Sequence, residues 1–235
     1  QKIGKLLALF LSVGILFSCN DDDNVSPFDF IGDVYVTKRM INDEAQFANS
    51  YYAYGNQAMT FAQATTPGGT EIALSSDSDG YTYGKAANNP DFTLVAPEEG
   101  NYTFDVIHQD IQHQAIDLLV FDDIDFTTIS SAEMEIGRLV VEWDKNPDAQ
   151  VYMLRLINEE GEIVFGSPTL PSAAVLFEIE ETGASGTWDV GYPNLGDIYT
   201  LELHAFVFDD EATDSDYSFN IQEISISEET VLWNY

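Results

Sequence analysis

Cysteine, basic residues and long apolar runs are all scarce in this 235-residue chain. With Cys19 as the one cysteine, no intrachain disulfide can form. Eight Lys and Arg face 41 Asp and Glu, a formal charge of −33 at pH 7. A phosphate backbone would meet long-range repulsion, which excludes nucleic acid as a partner. Three histidines leave little room for imidazole catalysis or a histidine-based metal site. The longest apolar run, residues 6–17, would span about 18 Å as a helix, well short of a hydrocarbon core of about 30 Å.

What is present is a globular composition, 45% apolar and 13% aromatic, rich in strand-forming Tyr, Phe, Val, Ile and Thr. From residue 34 onward short alternating runs are broken by Gly, Pro, Asn and Asp, with no sustained helical period. Strands are expected at 34–41, 57–64, 70–75, 92–95, 102–108 and 116–121, then at 139–143, 151–157, 162–165, 175–179, 199–208 and 217–225. Asp122-Asp123 marks the expected seam between two halves. In the second half "LVVEW" ending at Trp143, "VYMLRL" at 151–156 and "YTLELHAF" from Tyr199 resemble a fibronectin type III or immunoglobulin-like sandwich. The approach to Tyr199, "NLGDIY", lacks the proline usual in that family. The first half, with "PEEGNYTFDVI", resembles the same architecture more weakly. The expectation is an all-β chain of two tandem immunoglobulin-like β-sandwich domains, 33–123 and 124–235.

Residues 1–18 have the layout of a secretory signal peptide: two lysines, the apolar run, then a small residue before Cys19. "LFSC" at 16–19 resembles the lipobox of bacterial lipoproteins, with Phe17 where a smaller residue is usual. The resemblance implies a lipid-bearing Cys19 as the mature N-terminus, with acyl chains contributing about 0.8 kcal/mol per buried CH₂. Asp21, Asp22 and Asp23 in turn resemble the acidic export signal of surface lipoproteins of Bacteroidetes. Residues 19–32 are read as a tether, and the implied address is the outer face of the outer membrane.

No reaction is declared by the residues. There is no G-x-S-x-G, and "GASG" at 183–186 lies in a loop with no helix behind it. His108 and His113 flank an expected hairpin. Pairing residues whose numbers sum to 222 makes one face wholly apolar, with Phe104 opposite Leu118, and leaves His113 in the loop. His204 is expected to point outward without a partner. "SSDSDGYTYGKA" puts Asp77 and Asp79 at EF-hand ligand positions, but Ser75 and Ala86 stand where the first ligand and the bidentate acid belong. Calcium stays open there and at Asp209 and Asp210, and no other cofactor is expected. "NSYYAYG" and "GYTYG" place Tyr51, Tyr52, Tyr54, Tyr81 and Tyr83 in polar, glycine-bounded segments, where rings could stack on sugar faces.

Three functional readings follow. The first, favoured because every catalytic signature fails, is a non-catalytic surface lipoprotein acting as an accessory binding module. Its resemblance to lipoproteins that work beside outer-membrane uptake channels implies a glycan ligand. The alternatives are a scaffold subunit docked to an outer-membrane protein through strand edges, and a hydrolase whose carboxylates are not singled out.

Overall fold

A computed structural model of the chain describes residues 26–189, 191–210, 212 and 220–234. Cys19, Asp21, Asp22 and Asp23 lie outside the described residues, as does most of the acidic segment that follows Asp210. Among the described residues no helix is long and apolar enough to cross a membrane.

The first half contains β1 (Phe30–Ile41), β2 (Glu44–Gly55), β3 (Phe61–Thr65), β4 (Glu71–Ala73), β5 (Ser75–Ser76), β6 (Thr82–Lys85), β7 (Gly100–His108) and β8 (Ile111–Leu119). The second contains β9 (Ile129–Glu135), β10 (Arg138–Trp143), β11 (Val151–Ile157), β12 (Ile163–Gly166), β13 (Leu170–Pro171), β14 (Leu176–Glu180), β15 (Thr187–Trp188), β16 (Ile198–Phe208) and β17 (Ile221–Leu232). Asn89–Asp91 forms a single 3₁₀ turn. The chain is all-β, and each half is a sandwich of two facing layers.

In the first sandwich β4-β3-β7-β8 faces β1, β2, β6 and β5, and Val34, Val36 and Ala53 pack against Tyr102, Phe104 and Val106. In the second, β14-β10-β9 faces β12, β11, β16 and β17. There Leu139, Val141, Trp143 and Ile179 meet Tyr152, Leu154, Leu156, Leu201 and Leu203. Side chains of this size contribute about 1.5–3 kcal/mol each when fully buried. Gly32 lies directly against the opposite layer: a Cβ there would fall 2.3 Å from Cδ2 of Phe104.

The two halves are joined in one sheet. β17 runs parallel to β1, pairing Thr37 with Ile224 and Arg39 with Ile226, so the order β15-β12-β11-β16-β17-β1-β2-β6-β5 passes from one sandwich into the other. Lys38 ties the same seam. Its ammonium, on a side chain 7% exposed, donates to Asp123 Oδ1 at 2.6 Å and to the Ile124 carbonyl at 2.8 Å. Tandem sandwiches read from sequence carry no hint of this pairing, because parallel partners far apart in the chain leave no local mark.

Several expected elements change. β2 has no counterpart among the expected strands; its Asn, Ser and Gly read as loop. A two-residue turn at Asn42 and Asp43, with φ of 53° and 63°, folds it straight back on β1. Residues 92–95 form no strand beyond one bridge, Phe47 with Thr93. The β7–β8 register is also corrected. Gln109 and Asp110, with φ of 49° and 63°, make a two-residue turn that pairs His108 with Ile111 and Phe104 with Ala115, a sum of 219. Turn geometry therefore overrides the apolar match. His113 lies in the strand opposite Val106, and Ile116 and Leu118 face solvent.

Candidate functional site

Strands in an antiparallel sandwich ordinarily bury one face. Here the shared sheet is also apolar on the face turned away from both cores. Val151, Phe206, Phe208, Ile221, Ile224 and Ile226 form a third buried cluster there, with Tyr35 and Met153 packed against it. Register explains the assembly. Val151 pairs with Phe206, Phe206 with Ile224, and Ile224 with Thr37, so side chains from β11, β16, β17 and β1 stand in one row on one face. The face is the floor of a cleft of about 830 Å³, walled by residues 86–89 and Phe92 on one side and by Gly161, Ile163 and Thr169 on the other. That volume is typical of a small-ligand site.

Two ranks of nearly parallel rings stand on this face of the sheet. Tyr35 stacks on Tyr52 with centroids 6.0 Å apart and planes 5° apart, and Tyr52 stacks on Tyr54 at 5.7 Å and 8°. Across the sheet His204 stacks on Phe206 at 6.1 Å, and Phe206 on Phe208 at 6.2 Å. Burial pushes the Tyr35 and Tyr54 phenols well above the ordinary tyrosine value, so both remain neutral donors.

The polar groups form a second row, in which Arg155 pairs with Glu202 and Glu202 with Glu228. Glu202 Oε2 lies 2.8 Å from His204 Nε2, and Oε1 lies 3.4 Å from an Arg39 guanidinium nitrogen that also bonds Glu228. Arg39 in addition lies over the Phe92 ring, 5.7 Å from its centroid. Burial pulls Glu202 upward, but the His204 hydrogen bond and the charges of His204, Arg39 and Arg155 outweigh it and hold the carboxylate ionised. Burial holds the His204 imidazole below its ordinary value despite Glu202. His204 points away from the sandwich core as expected, but the expectation of a free outward side chain is corrected: it is 3% exposed and partnered.

The five tyrosines singled out in the sequence separate. Tyr52 and Tyr54 stand on the cleft face, the Tyr52 ring lying over Gly84, where a Cβ would be 2.5 Å from Cδ1. Tyr51 and Tyr83 turn into the first core, the Tyr83 hydroxyl donating to the Met59 carbonyl at 3.3 Å. Tyr81 is 48% exposed. Asp77 is occupied as a turn-former: its Oδ1 accepts the Gly80 N–H at 2.8 Å and the Asp79 N–H at 3.2 Å. Asp209 bonds the Gln222 amide. Among the described residues no three His, Cys, Asp or Glu side chains are placed to hold a metal ion.

His108 Nδ1 lies 2.9 Å from the Ala58 carbonyl, and Phe28 stacks on its ring at 4.3 Å; Phe28 also meets His113 at 4.6 Å. Both histidines are thus engaged by aromatic packing. Missed altogether from sequence were Phe206, Phe208, Arg155 and the β17 isoleucines. A signal did exist, because "AFVF" at the end of β16 is apolar on both faces, which a strand covered on one side does not need.

No family model matches the sequence, and no curated protein matches it. Solved structures similar to it include a biofilm-associated protein BSP domain, at 11% identity and TM-score 0.25, over 86% of this chain and 29% of that one. A two-domain fibronectin type III segment of chicken tenascin is 10% identical with TM-score 0.27, over 79% and 92% of the two chains. A tetra-tandem repeat from the extending region of a large adhesion protein is 12% identical with TM-score 0.26, over 86% and 49%. This chain therefore spans less than a third of the first of these and about half of the last. At this degree of overlap the likeness says nothing of ligand or partner.

Proposed function

We propose that the chain is a non-catalytic binding module carried at a cell surface, and that it holds a glycan against the ring-lined face of the shared sheet. The supporting observation is a second apolar face outside both cores, with Tyr35, Tyr52, Phe206 and Phe208 in parallel ranks over a cleft of about 830 Å³. Flat rings with neutral phenols suit the apolar faces of pyranose sugars, while Asn88, Asn89 and Thr169 at the walls can take hydroxyls. Catalysis is not part of the proposal, because the one carboxylate lining the cleft among the described residues, Glu202, is tied to Arg39 and His204. Anchoring through a lipid on Cys19, with export directed by Asp21, Asp22 and Asp23 to the outer membrane beside an uptake system, belongs to the same proposal and rests on the sequence resemblance.

Affinity electrophoresis against a broad polysaccharide panel tests the site. Retardation by at least one polysaccharide, lost in Tyr52→Ala with Phe206→Ala and kept in Tyr81→Ala, is expected. Retention insensitive to the double substitution removes the cleft from the proposal.

A scaffold role is the second reading, and it has its own observation. β8 ends its sheet with Ile116 and Leu118 exposed at 64% and 53%, and Gln222 satisfies its far end by taking the Val120 N–H and donating to the Leu118 carbonyl, both at 2.9 Å. A side-chain amide standing where a strand would pair marks an edge that accepts one. A photo-crosslinker at position 116 in native membranes should capture a defined envelope protein on this reading, and solvent-only products would remove it.

A further inference from the structure

Acids outnumber bases by 41 to 8 over the whole chain, yet among the described residues the cleft reverses the balance: Arg39 and Arg155 line it against Glu202 alone. The two arginines are in different states. Arg39 is engaged by Glu228, Glu202 and the Phe92 ring. Arg155 is partly buried on β11 between Met153 and Ile157. Among the described residues its guanidinium has neither an ion pair nor a hydrogen bond, although its charge is felt at both Glu202 and His204. In a protein with so many carboxylates, a partly buried guanidinium that none of the described ones bonds directly is a place kept for an anion from outside.

We infer that the glycan held in the cleft carries a carboxylate, as uronic and sialic acids do, and that the Arg155 guanidinium receives it while the ring ranks take the sugar faces. The inference rests on the cleft being a glycan site. A guanidinium matches a carboxylate with two parallel N–H···O bonds, and the shielding walls keep that pair from being screened as a surface pair would be. Glu202 makes no direct bond to Arg155, its oxygens being bonded to His204 and Arg39. The overall charge of −33 shapes the ligand further. With a Debye length of about 8 Å at physiological salt, a single acidic sugar feels mainly the local arginines, whereas a polyanion would extend into the acidic surface around them. The fitting ligand is an oligosaccharide with one acidic residue among neutral ones.

The test applies the full chain to a glycan array holding uronic- and sialic-acid oligosaccharides beside their carboxyl-reduced or desialylated counterparts, for example sialyllactose beside lactose. Acidic members should bind at least tenfold more tightly than their neutral partners. Arg155→Gln should erase that difference, and Arg155→Lys should restore part of it, at unchanged thermal midpoints. Equal binding of acidic and neutral partners, or a preference indifferent to Arg155→Gln, overturns the inference and leaves the glycan site standing. Absence of binding to every glycan on the array overturns both.

Discussion

Tyr52 owes its place in the cleft to the residue across from it in the sheet. Gly84 presents no side chain, so the phenol ring lies flat on its backbone and is held parallel to Tyr35 and Tyr54. Gly84→Val puts a branched side chain where that ring lies, and should weaken glycan retention by about tenfold, equal to about 1.4 kcal/mol; Gly166→Ala, where an added Cβ meets nothing, should leave retention unchanged. Affinity electrophoresis of the two variants checks both. His204 is the other residue whose substitution should register. Its removal strips a buried carboxylate of its 2.8 Å donor, so His204→Ala should cost about 1–3 kcal/mol in urea unfolding, and His204→Gln, which keeps a donor, should cost less. Neither consequence could be read from the sequence, where Tyr52 is one of five similar tyrosines and His204 has no visible partner. The first depends on which residue β6 sets opposite Tyr52, and that is fixed by turns elsewhere; the second joins residues two apart on β16 and depends on the outward face of that strand being buried.

At the scale of elements, two tight turns decide most of the first sandwich. Asn42-Asp43 and Gln109-Asp110 each fix a hairpin register, and the second moves the β7–β8 pairing by three residues from the one that apolar matching favours. The small Ala115 then faces Phe104, Asp117 turns in to accept the Val34 N–H at 2.7 Å, and the larger aliphatics of β8 stay outside. Where β1 meets that layer the fit leaves no slack: Gly32→Val should destabilise the protein by about 1–3 kcal/mol by displacing Phe104, read as a lower urea midpoint at unchanged slope. Strands with strict alternation and β-branched residues, such as β11 and β10, were legible in the sequence nearly to their ends. β2 was not, because its polar and glycine residues are tolerated only between two paired neighbours. The cleft was legible only in fragments, since its floor comes from four strands distant in the chain.

For the whole molecule, the junction of the halves holds a group of carboxyls that should govern stability against pH. Burial, then the charges of Asp117 and Asp209, push Asp33 up to about 8, and its Oδ2 has no hydrogen-bond partner. Burial raises Asp117 to about 7 and Glu223 to about 7. Groups held above their unfolded values contribute fully below about pH 4, and the contribution drains away between about pH 4 and the folded values of 7 to 8, at roughly 1.4 kcal/mol per pH unit for each group. His204 has the opposite sign, since a lowered folded value removes stability as pH falls below about 6.5. Three carboxyls losing stability outweigh one imidazole gaining it, so stability is highest near pH 4 and declines towards pH 8. Asp33→Asn should flatten the alkaline limb, as thermal midpoints measured across that range would reveal.

The claim to which the rest is attached is that the shared sheet binds a sugar on its outward face. Nuclear magnetic resonance of the full chain, labelled in its tyrosine and phenylalanine rings and its isoleucine methyls, tests it most directly when an oligosaccharide that the protein retains is titrated in. Ring signals of Tyr35, Tyr52 and Phe206 and the methyls of Ile224 and Ile226 should shift together with one binding curve, while Tyr81 and Ile116 stay still. Shifts confined to Tyr81 or Ile116, with the cleft signals unmoved at saturation, would contradict it.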